Sequence, residues 1–492
     1  MKKLLLMPVI LFPVYVFAGG LVTNTSQSAM FTRFQCRDAS LDIDAAYYNP
    51  AGLVHLSDGF YLSLNNQVAG RLKQVTASYE RLNEGQPLKY EGKLTNPLFP
   101  GVYAVYKTGR FAFSAGVNPI SGDGVTSYDG GLPSGDIFLA DRTSVVNSTL
   151  STPDDDIDFG TVKYDRSDRT EKSRLLSIGY QLNIAYNLDN RFSVAAGIRI
   201  VDTRNYTRSS IDNIYWVHTS NTGTTELVRP VSYTETVVNV SEANDTTVAG
   251  ADTRSALTEA LDEIKSWESI ADISFTGTGI TPVISINYAP DLKTNWAFKY
   301  EFRTSIDLLT EVRSDNAGIS NYLNGSVENV SIPAMLSLGL TKIKGNRFKY
   351  FAGLHYYFDK PLQFEGRKLE DIEIIERNSY ELAFGGEYII NNRYRASSGI
   401  SISKPGVNAE YYNEHRYTGN SVTLGAGVGL MLGSYIDLNL GASYTMYSES
   451  EIIREYDPAD GVNTPVAIKD IYDSRGWVLS AGIDFLFGKK TK

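Results

Sequence analysis

The sequence predicts an all-β fold, a transmembrane antiparallel β-barrel of about 14 strands with a small N-terminal plug (hatch) inside the lumen. Three observations predict it. Beyond residue 58 the chain falls into runs that alternate apolar with polar residues, the period of a strand whose two faces meet different surroundings. The joins between these runs alternate in length, short then long. The stretch ahead of the first run, residues 20–57, has neither helical nor strand period, and irregular backbone in a membrane-spanning chain must be enclosed by protein or line a wet cavity.

Length alone, 492 residues, suggests two or three soluble domains, but barrels run longer as single units. Tyr (32) and Phe (21) are abundant and Gly (42) is spread through the apolar runs. After residue 18 no apolar stretch reaches the roughly 18 residues that a membrane helix needs, which excludes a helical bundle and leaves a barrel open. Lys2-Lys3, the apolar core Leu4 to Phe17 and the small residue Ala18 read as an export signal, with the mature chain expected from Gly19. The domains are therefore a signal peptide at 1–18, a plug at 19–58 and a barrel with long extracellular loops at 59–492. A net charge of −10 and a pI near 5.1 argue against nucleic acid as a partner. Cys36 is the single cysteine and reads as a small buried hydrophobe in the plug.

Candidate strands fall at 59–71, 98–106, 110–118, 173–187, 191–208, 271–288, 294–311, 329–342, 347–360, 377–390, 393–403, 419–432, 435–449 and 474–487. In the seventh, Trp296, Phe298, Tyr300 and Phe302 share one face while Lys299, Glu301 and Arg303 share the other, and those charges need water or each other. In the twelfth, Val422, Leu424, Ala426, Val428 and Leu430 oppose Ser421, Thr423, Gly425, Gly427 and Gly429. Short joins fall at 107–109, 189–190, 289–293, 344–346, 391–392 and 433–434. Long ones fall at 72–97, 119–172, 209–270, 312–328, 361–376, 404–418 and 450–473. Short periplasmic turns and long extracellular loops sort this way in a membrane barrel, and a soluble sandwich has no reason to do so. The same parity puts both termini on the periplasmic side. Tyr61, Phe192, Trp296, Tyr380, Tyr435 and Trp477 near strand ends fit interfacial girdles, or are ordinary strand aromatics.

The plug ends in Tyr47-Tyr48-Asn49-Pro50-Ala51-Gly52-Leu53. Pro50 fixes its own φ and biases Asn49 to an extended shape, and Gly52 can adopt positive φ, so the stretch reads as a rigid turn. In the long loop 209–270, Leu257, Leu261, Ile264 and Trp267 recur at helical spacing and predict an amphipathic helix whose greasy face is covered by another loop or by a ligand. Asp154-Asp155-Asp156 with Asp158 is a solvated acidic run or a cation site. His55, His218, His355 and His415 are scattered without metal or triad spacing, and His355 reads as a wet lumen residue. No metal and no cofactor is expected.

An N-terminal plug carrying Asn49-Pro50-Ala51 just before the first strand resembles the FadL/TodX family of outer-membrane transporters for long-chain fatty acids and other hydrophobic molecules. Gly179 to Asn183 with Arg191 to Gly197 is similar to that family's fourth and fifth strands. Asn295 to Arg303 followed by Ile332-Pro333-Ala334 resembles its seventh and eighth. Two features depart from the pattern: the chain continues past Phe485-Leu486-Phe487 to Lys492, and loop 119–172 is long and acidic. The resemblance implies a channel in the bacterial outer membrane for passive uptake of hydrophobic small molecules such as long-chain fatty acids. Loop 209–270 would capture the ligand, the plug motif Asn49, Pro50 and Ala51 would rearrange, and release could pass sideways through a gap made by a bent third strand, for which Gly116, Asn118 and Pro119 are the candidates. Expected partners are the hydrophobic ligand, outer-membrane lipid and lipopolysaccharide, and the barrel-assembly machinery, with the barrel a monomer. A general diffusion porin, an outer-membrane hydrolase and a surface adhesin are the alternatives.

Overall fold

The computed structural model describes residues 25–488 apart from 151–158, 245–247, 316–321, 362, 365–366, 369–373, 415–416, 457 and 459–464. The Asp154–Asp158 run and His415 lie outside the described residues. Among those described, fourteen antiparallel strands form one closed wall. They are β1 (Gly59–Ser78), β2 (Leu88–Thr108), β3 (Phe111–Tyr128), β4 (Thr161–Asn187), β5 (Phe192–Thr219) and β6 (Ser269–Asp291). Then come β7 (Thr294–Glu301 resuming as Thr304–Asp315), β8 (Val327–Ile332 resuming as Met335–Lys344), β9 (Phe348–Tyr357), β10 (Tyr380–Ile389) and β11 (Tyr394–Lys404). The last are β12 (Ser421–Leu432), β13 (Ile436–Tyr447 resuming as Ser450–Tyr456) and β14 (Val466–Gly488).

The wall closes where β1 pairs with β14 in unbroken register, from Gly59 opposite Gly488 to Ser78 opposite Lys469. The tail beyond Phe487 therefore leaves the final strand in place, and closure removes both sheet edges. Large apolar side chains point outward along every wall, among them Leu182, Ile200, Ile286, Leu440 and Phe487, all more than a third exposed. That belt is what an acyl-chain environment covers. Phe192, Trp296, Tyr435 and Trp477 belong to it, whereas Tyr61 turns inward, 4% exposed, and its hydroxyl donates to the Ser57 carbonyl at 2.6 Å. The tight periplasmic turns use glycine where the left-handed region is needed, as at Gly109 (φ 55°) and Gly433 (φ 62°).

The strands run well past the expected boundaries. β4 and β5 hold 27 and 28 residues, and at a tilt near 40° each residue climbs roughly 2.5 Å, so about half of each stands above the bilayer. Alternation fades there because both faces are polar; the expected loops at 72–97 and 450–473 are largely extensions of the wall, while those at 119–172 and 209–270 begin and end as wall strand. Helices α3 (Pro133–Leu150), α4 (Pro230–Asn244) and α5 (Val248–Lys265) fill the extracellular end.

Two strands expected to be continuous are interrupted, at Phe302-Arg303 in β7 and at Pro333-Ala334 in β8. Each interruption reverses which residues face the lumen. Below the first break Asn295, Ala297, Lys299 and Glu301 are buried inward; above it Thr304, Ile306, Leu308 and Thr310 are. Arg303, expected on the lumen face, is exposed at the break itself.

The plug occupies the periplasmic half of the lumen as two short helices, α1 (Ala29–Phe34) and α2 (Ala45–Tyr48), and a 3-10 turn over Pro50–His55. Ser28 caps the first by accepting from the Phe31 N–H. Its backbone rests on inward glycines of the wall: a Cβ at Gly399 would collide with the Phe34 carbonyl and one at Gly425 with the Thr32 carbonyl. The glycine-rich polar face of β12 is thus a seat for the plug.

Candidate functional site

The plug is fastened to the wall by buried polar side chains on both partners. Arg33, wholly buried, donates to Glu387 at 2.9 Å, to Ser397 at 2.9 Å and to Asn439. Asp38 accepts from His355 at 2.6 Å, whose other ring nitrogen lies 3.4 Å from Glu381. His355 therefore faces the lumen as expected but is dry, 3% exposed, and held by the plug. Within the plug Arg37 clamps Asp44 at 2.8 and 2.9 Å and Asp42 at 2.7 Å. Burial, and then the neighbouring Asp38 carboxylate, push the Cys36 thiol well above its ordinary value, consistent with an inert packing residue.

Asn49, Pro50 and Ala51 sit where the plug meets β5 and β6. The Asn49 amide donates to the Ser40 carbonyl at 3.0 Å and to Asn287 at 2.7 Å, and its oxygen accepts from Ser285 at 3.1 Å. The Ala51 carbonyl accepts from Ser193 at 2.7 Å. Asn49 (φ −150°, ψ 71°) avoids the helical region that Pro50 disfavours but stops short of the extended shape expected, and Pro50 opens the 3-10 turn. Gly52 does not use positive φ; a Cβ there would strike the Asn49 amide and the Ser40 carbonyl, so close approach is its role.

Above the plug, inward side chains turn apolar. Val201 of β5, Ile273 and Phe275 of β6, Ile306 and Leu308 of β7 and Val330 and Ile332 of β8 join Tyr47, Tyr48, Ile43 and Leu53 of the plug in one buried cluster. This lining was missed in the sequence. Its signal is a change of parity: along β6 the apolar residues Ile280, Ile284, Ile286 and Tyr288 are even-numbered and face lipid, whereas Ala271, Ile273 and Phe275 are odd-numbered and face in, with the β5 register unbroken between them. At its foot lies a charged group. Arg199 contacts Glu301 at 2.6 and 3.1 Å, and Lys299 contacts Glu301 at 2.6 Å and the Tyr47 carbonyl at 3.0 Å. Two cations there share one carboxylate.

The wall opens beside this cluster. β2 and β3 pair from Gly92–Thr95 with Val125–Tyr128 and again from Val102–Thr108 with Phe111–Val117, but not between. There β2 remains bonded to β1 and β3 to β4, with β3 irregular at Pro119, Ser121 and Gly122 (φ 85°). Gly116 keeps both neighbours, Tyr103 and Gln181, so the departure starts at Asn118-Pro119. Both polar atoms of the Asn118 side chain are buried without a hydrogen-bond partner, as is the Ser121 hydroxyl. Gln27 spans the gap from inside: its side-chain amide donates to the Pro119 carbonyl at 2.6 Å, and its backbone carbonyl accepts from the Tyr103 hydroxyl at 3.0 Å.

Leu257, Leu261, Ile264 and Trp267 do form the greasy face of a helix end and the turn after it, and another part of the protein covers that face. They pack, all under 9% exposed, with Leu139 and Val146 of α3, Val162 of β4, Ile214 and Trp216 of β5 and Val237 and Val238 of α4. Of the two coverings left open by the sequence, neighbouring loops are the one seen, and the face is closed to ligand in this state.

A closed, plugged barrel with a lipid-facing apolar belt and short periplasmic turns is an outer-membrane protein, and the bacterial outer membrane is its location. No protein-family model and no curated protein matches the sequence. Among solved structures the fold is similar to a FadL homologue from Pseudomonas aeruginosa (TM-score 0.61, 15% identity, covering 95% of this chain and 100% of that one). It is also similar to the toluene transporter TodX from Pseudomonas putida (0.51, 14%, 94% and 99%) and to a TodX deletion mutant described as a monoaromatic hydrocarbon channel (0.52, 13%, 94% and 99%). The FadL/TodX resemblance noted in the plug motif thus extends to the whole architecture, and the neighbours are channels and transporters, not enzymes.

Proposed function

We propose that the protein is a passive outer-membrane channel for hydrophobic small molecules that carry an anionic head, of which long-chain fatty acids are the simplest. The observation that carries this reading is the inward apolar lining above the plug, where a barrel lumen is ordinarily polar. Burying each CH₂ there contributes roughly 0.8 kcal/mol, which gives a greasy solute an affinity that a watery pore lacks. Arg199 and Lys299 at the foot of the lining share the single carboxylate of Glu301, leaving an excess cation to meet a ligand carboxylate. The lining includes Ile120 beside the β2–β3 gap, so Asn118-Pro119 and the unpaired backbone around it offer a sideways exit once Gln27 lets go. Asn49, Pro50 and Ala51 hold the plug in its closed seat.

The test is binding of a radiolabelled long-chain fatty acid and of toluene to the purified protein and to two variants, Phe275→Arg and Lys299→Met. Phe275→Arg should abolish both, and Lys299→Met should weaken the fatty acid alone. Equal binding of both ligands by parent and Phe275→Arg protein would overturn the reading, and an unchanged fatty-acid affinity in Lys299→Met would remove the anionic-head specificity.

A further inference from the structure

Outside the barrel, just above the apolar belt, four basic residues form a patch that transport does not use. Paired residues of neighbouring strands share a face, and the register sets Arg475 of β14 beside Leu72 of β1, Leu72 beside Lys93 of β2, Lys93 beside Ser127 of β3 and Ser127 beside Lys172 of β4. With strands about 4.8 Å apart, Arg475, Lys93 and Lys172 stand in one row at intervals of roughly 10 Å. Arg174 follows on the same face of β4, two residues below Lys172, opposite Val125. Arg475, Lys93 and Lys172 are exposed and Arg174 is half-exposed. Among the described residues none of the four makes a salt bridge, the carboxylate of Glu91 acting on Lys93 and Arg475 only from a distance while bound to Lys89 at 3.0 Å, whereas Arg204 and Arg208 farther round are bound to Asp202 at 3.0 Å and Asp272 at 2.9 Å.

Counting up each strand from its periplasmic turn, Arg475 and Arg174 lie about 30 Å above it, the top of a hydrocarbon core. The row is therefore at outer-leaflet headgroup level. Immediately below Arg475, the Trp477 indole lies across Gly70, where any side chain would displace it, and presents a flat apolar surface at the edge of the belt. Immediately above Lys93, a cleft of about 460 Å³ is lined by Lys89, Tyr90, Glu91, Asp129 and Asp136, a mixture of donors and acceptors suited to sugar hydroxyls.

We propose that this face of β14 to β4 is a binding site for a phosphorylated glycolipid of the outer leaflet, with its phosphates on Arg475, Lys93, Lys172 and Arg174, its sugar in the cleft and its acyl chains along the belt beside Trp477. Continuity with the lipid-facing belt and a row of exposed cations free of salt bridges select a lipid over a soluble anion, and the sugar-sized cleft selects a glycolipid over a phospholipid. The lipid would stand directly over the β2–β3 gap. The site does not depend on what the lumen carries.

The experiment is native mass spectrometry of the delipidated protein in detergent, titrated with bis-phosphorylated lipid A, with its dephosphorylated form and with phosphatidylglycerol. The parent should bind the bis-phosphorylated lipid A best. Each single change among Arg475→Gln, Lys93→Gln, Lys172→Gln and Arg174→Gln should weaken it about fivefold, since a basic side chain near an anionic headgroup contributes about 1 kcal/mol. The pair Arg204→Gln/Arg208→Gln, whose charges are already matched, should leave it unchanged, and heat-modified electrophoretic mobility reports that each barrel is folded. Unchanged binding in the four variants, or equal binding of the dephosphorylated lipid or of phosphatidylglycerol by the parent, would overturn the proposal.

Discussion

Asn49→Ala tests how the plug is held. The substitution removes three hydrogen bonds, to Ser40, Asn287 and Ser285, from a side chain that is fully buried. Asn287 keeps its bond to Asn295 at 2.8 Å, but the Ser285 hydroxyl loses the acceptor it donates to. Neutral hydrogen bonds contribute about 0.5–1.5 kcal/mol each and a stranded buried partner costs about 1–3 kcal/mol, so the seat should weaken by roughly 3 kcal/mol. At 1.4 kcal/mol per decade, that raises the unseated fraction on the order of 100-fold. The wall strands keep every bond between one another, so heat-modified mobility should be that of the parent while single-channel recordings in planar bilayers show frequent openings. Parent-like conductance in a folded Asn49→Ala barrel would refute the assignment of Asn49 as a latch. Gly52→Ala, which forces a methyl against the same amide and the Ser40 carbonyl, should reproduce the effect.

Other changes probe other contacts. Glu301→Gln leaves Arg199 and Lys299 buried without their carboxylate and should lower stability by about 3–5 kcal/mol in denaturant titration; a change within error would show that the three do not act together. Leu257→Ala should loosen the extracellular bundle by about 2–5 kcal/mol, read as faster protease nicking in loop 220–268 with the barrel's own melting unchanged. Gln27→Ala removes the amide that spans the gap and should speed lateral release of a bound apolar fluorophore into detergent micelles, with the same rate in parent and variant counting against a gap route.

The wall within the bilayer was legible in the sequence because lipid and lumen impose opposite chemistry on alternate residues: Trp296, Phe298 and Tyr300 face out and Lys299 and Glu301 face in, as the pattern reads. Above the bilayer that contrast disappears, and β4 and β5 continue through residues that resemble loop. The phase reversals at Phe302-Arg303 and Pro333-Ala334 left a trace, since Phe302, Ile306 and Leu308 share parity yet only the last two are buried, but a single strand drawn over 294–311 hides it. Asn49 was legible as a rigid element of the plug, whereas its partners Ser285 and Asn287 lie more than 230 residues away and no local pattern names them. The helix face at Leu257 to Trp267 was legible as greasy; what covers it depends on how α3 and α4 pack, which periodicity does not encode.

The most direct measurement places the purified protein in vesicles whose outer leaflet is lipopolysaccharide and follows two solutes at once, a long-chain fatty acid entering toward an internal fluorescent reporter and a small hydrophilic dye leaving. A plugged barrel with an apolar lining predicts faster entry of the fatty acid while the dye stays inside. Rapid loss of dye with no gain in fatty-acid entry is the behaviour of an open porin and would contradict it.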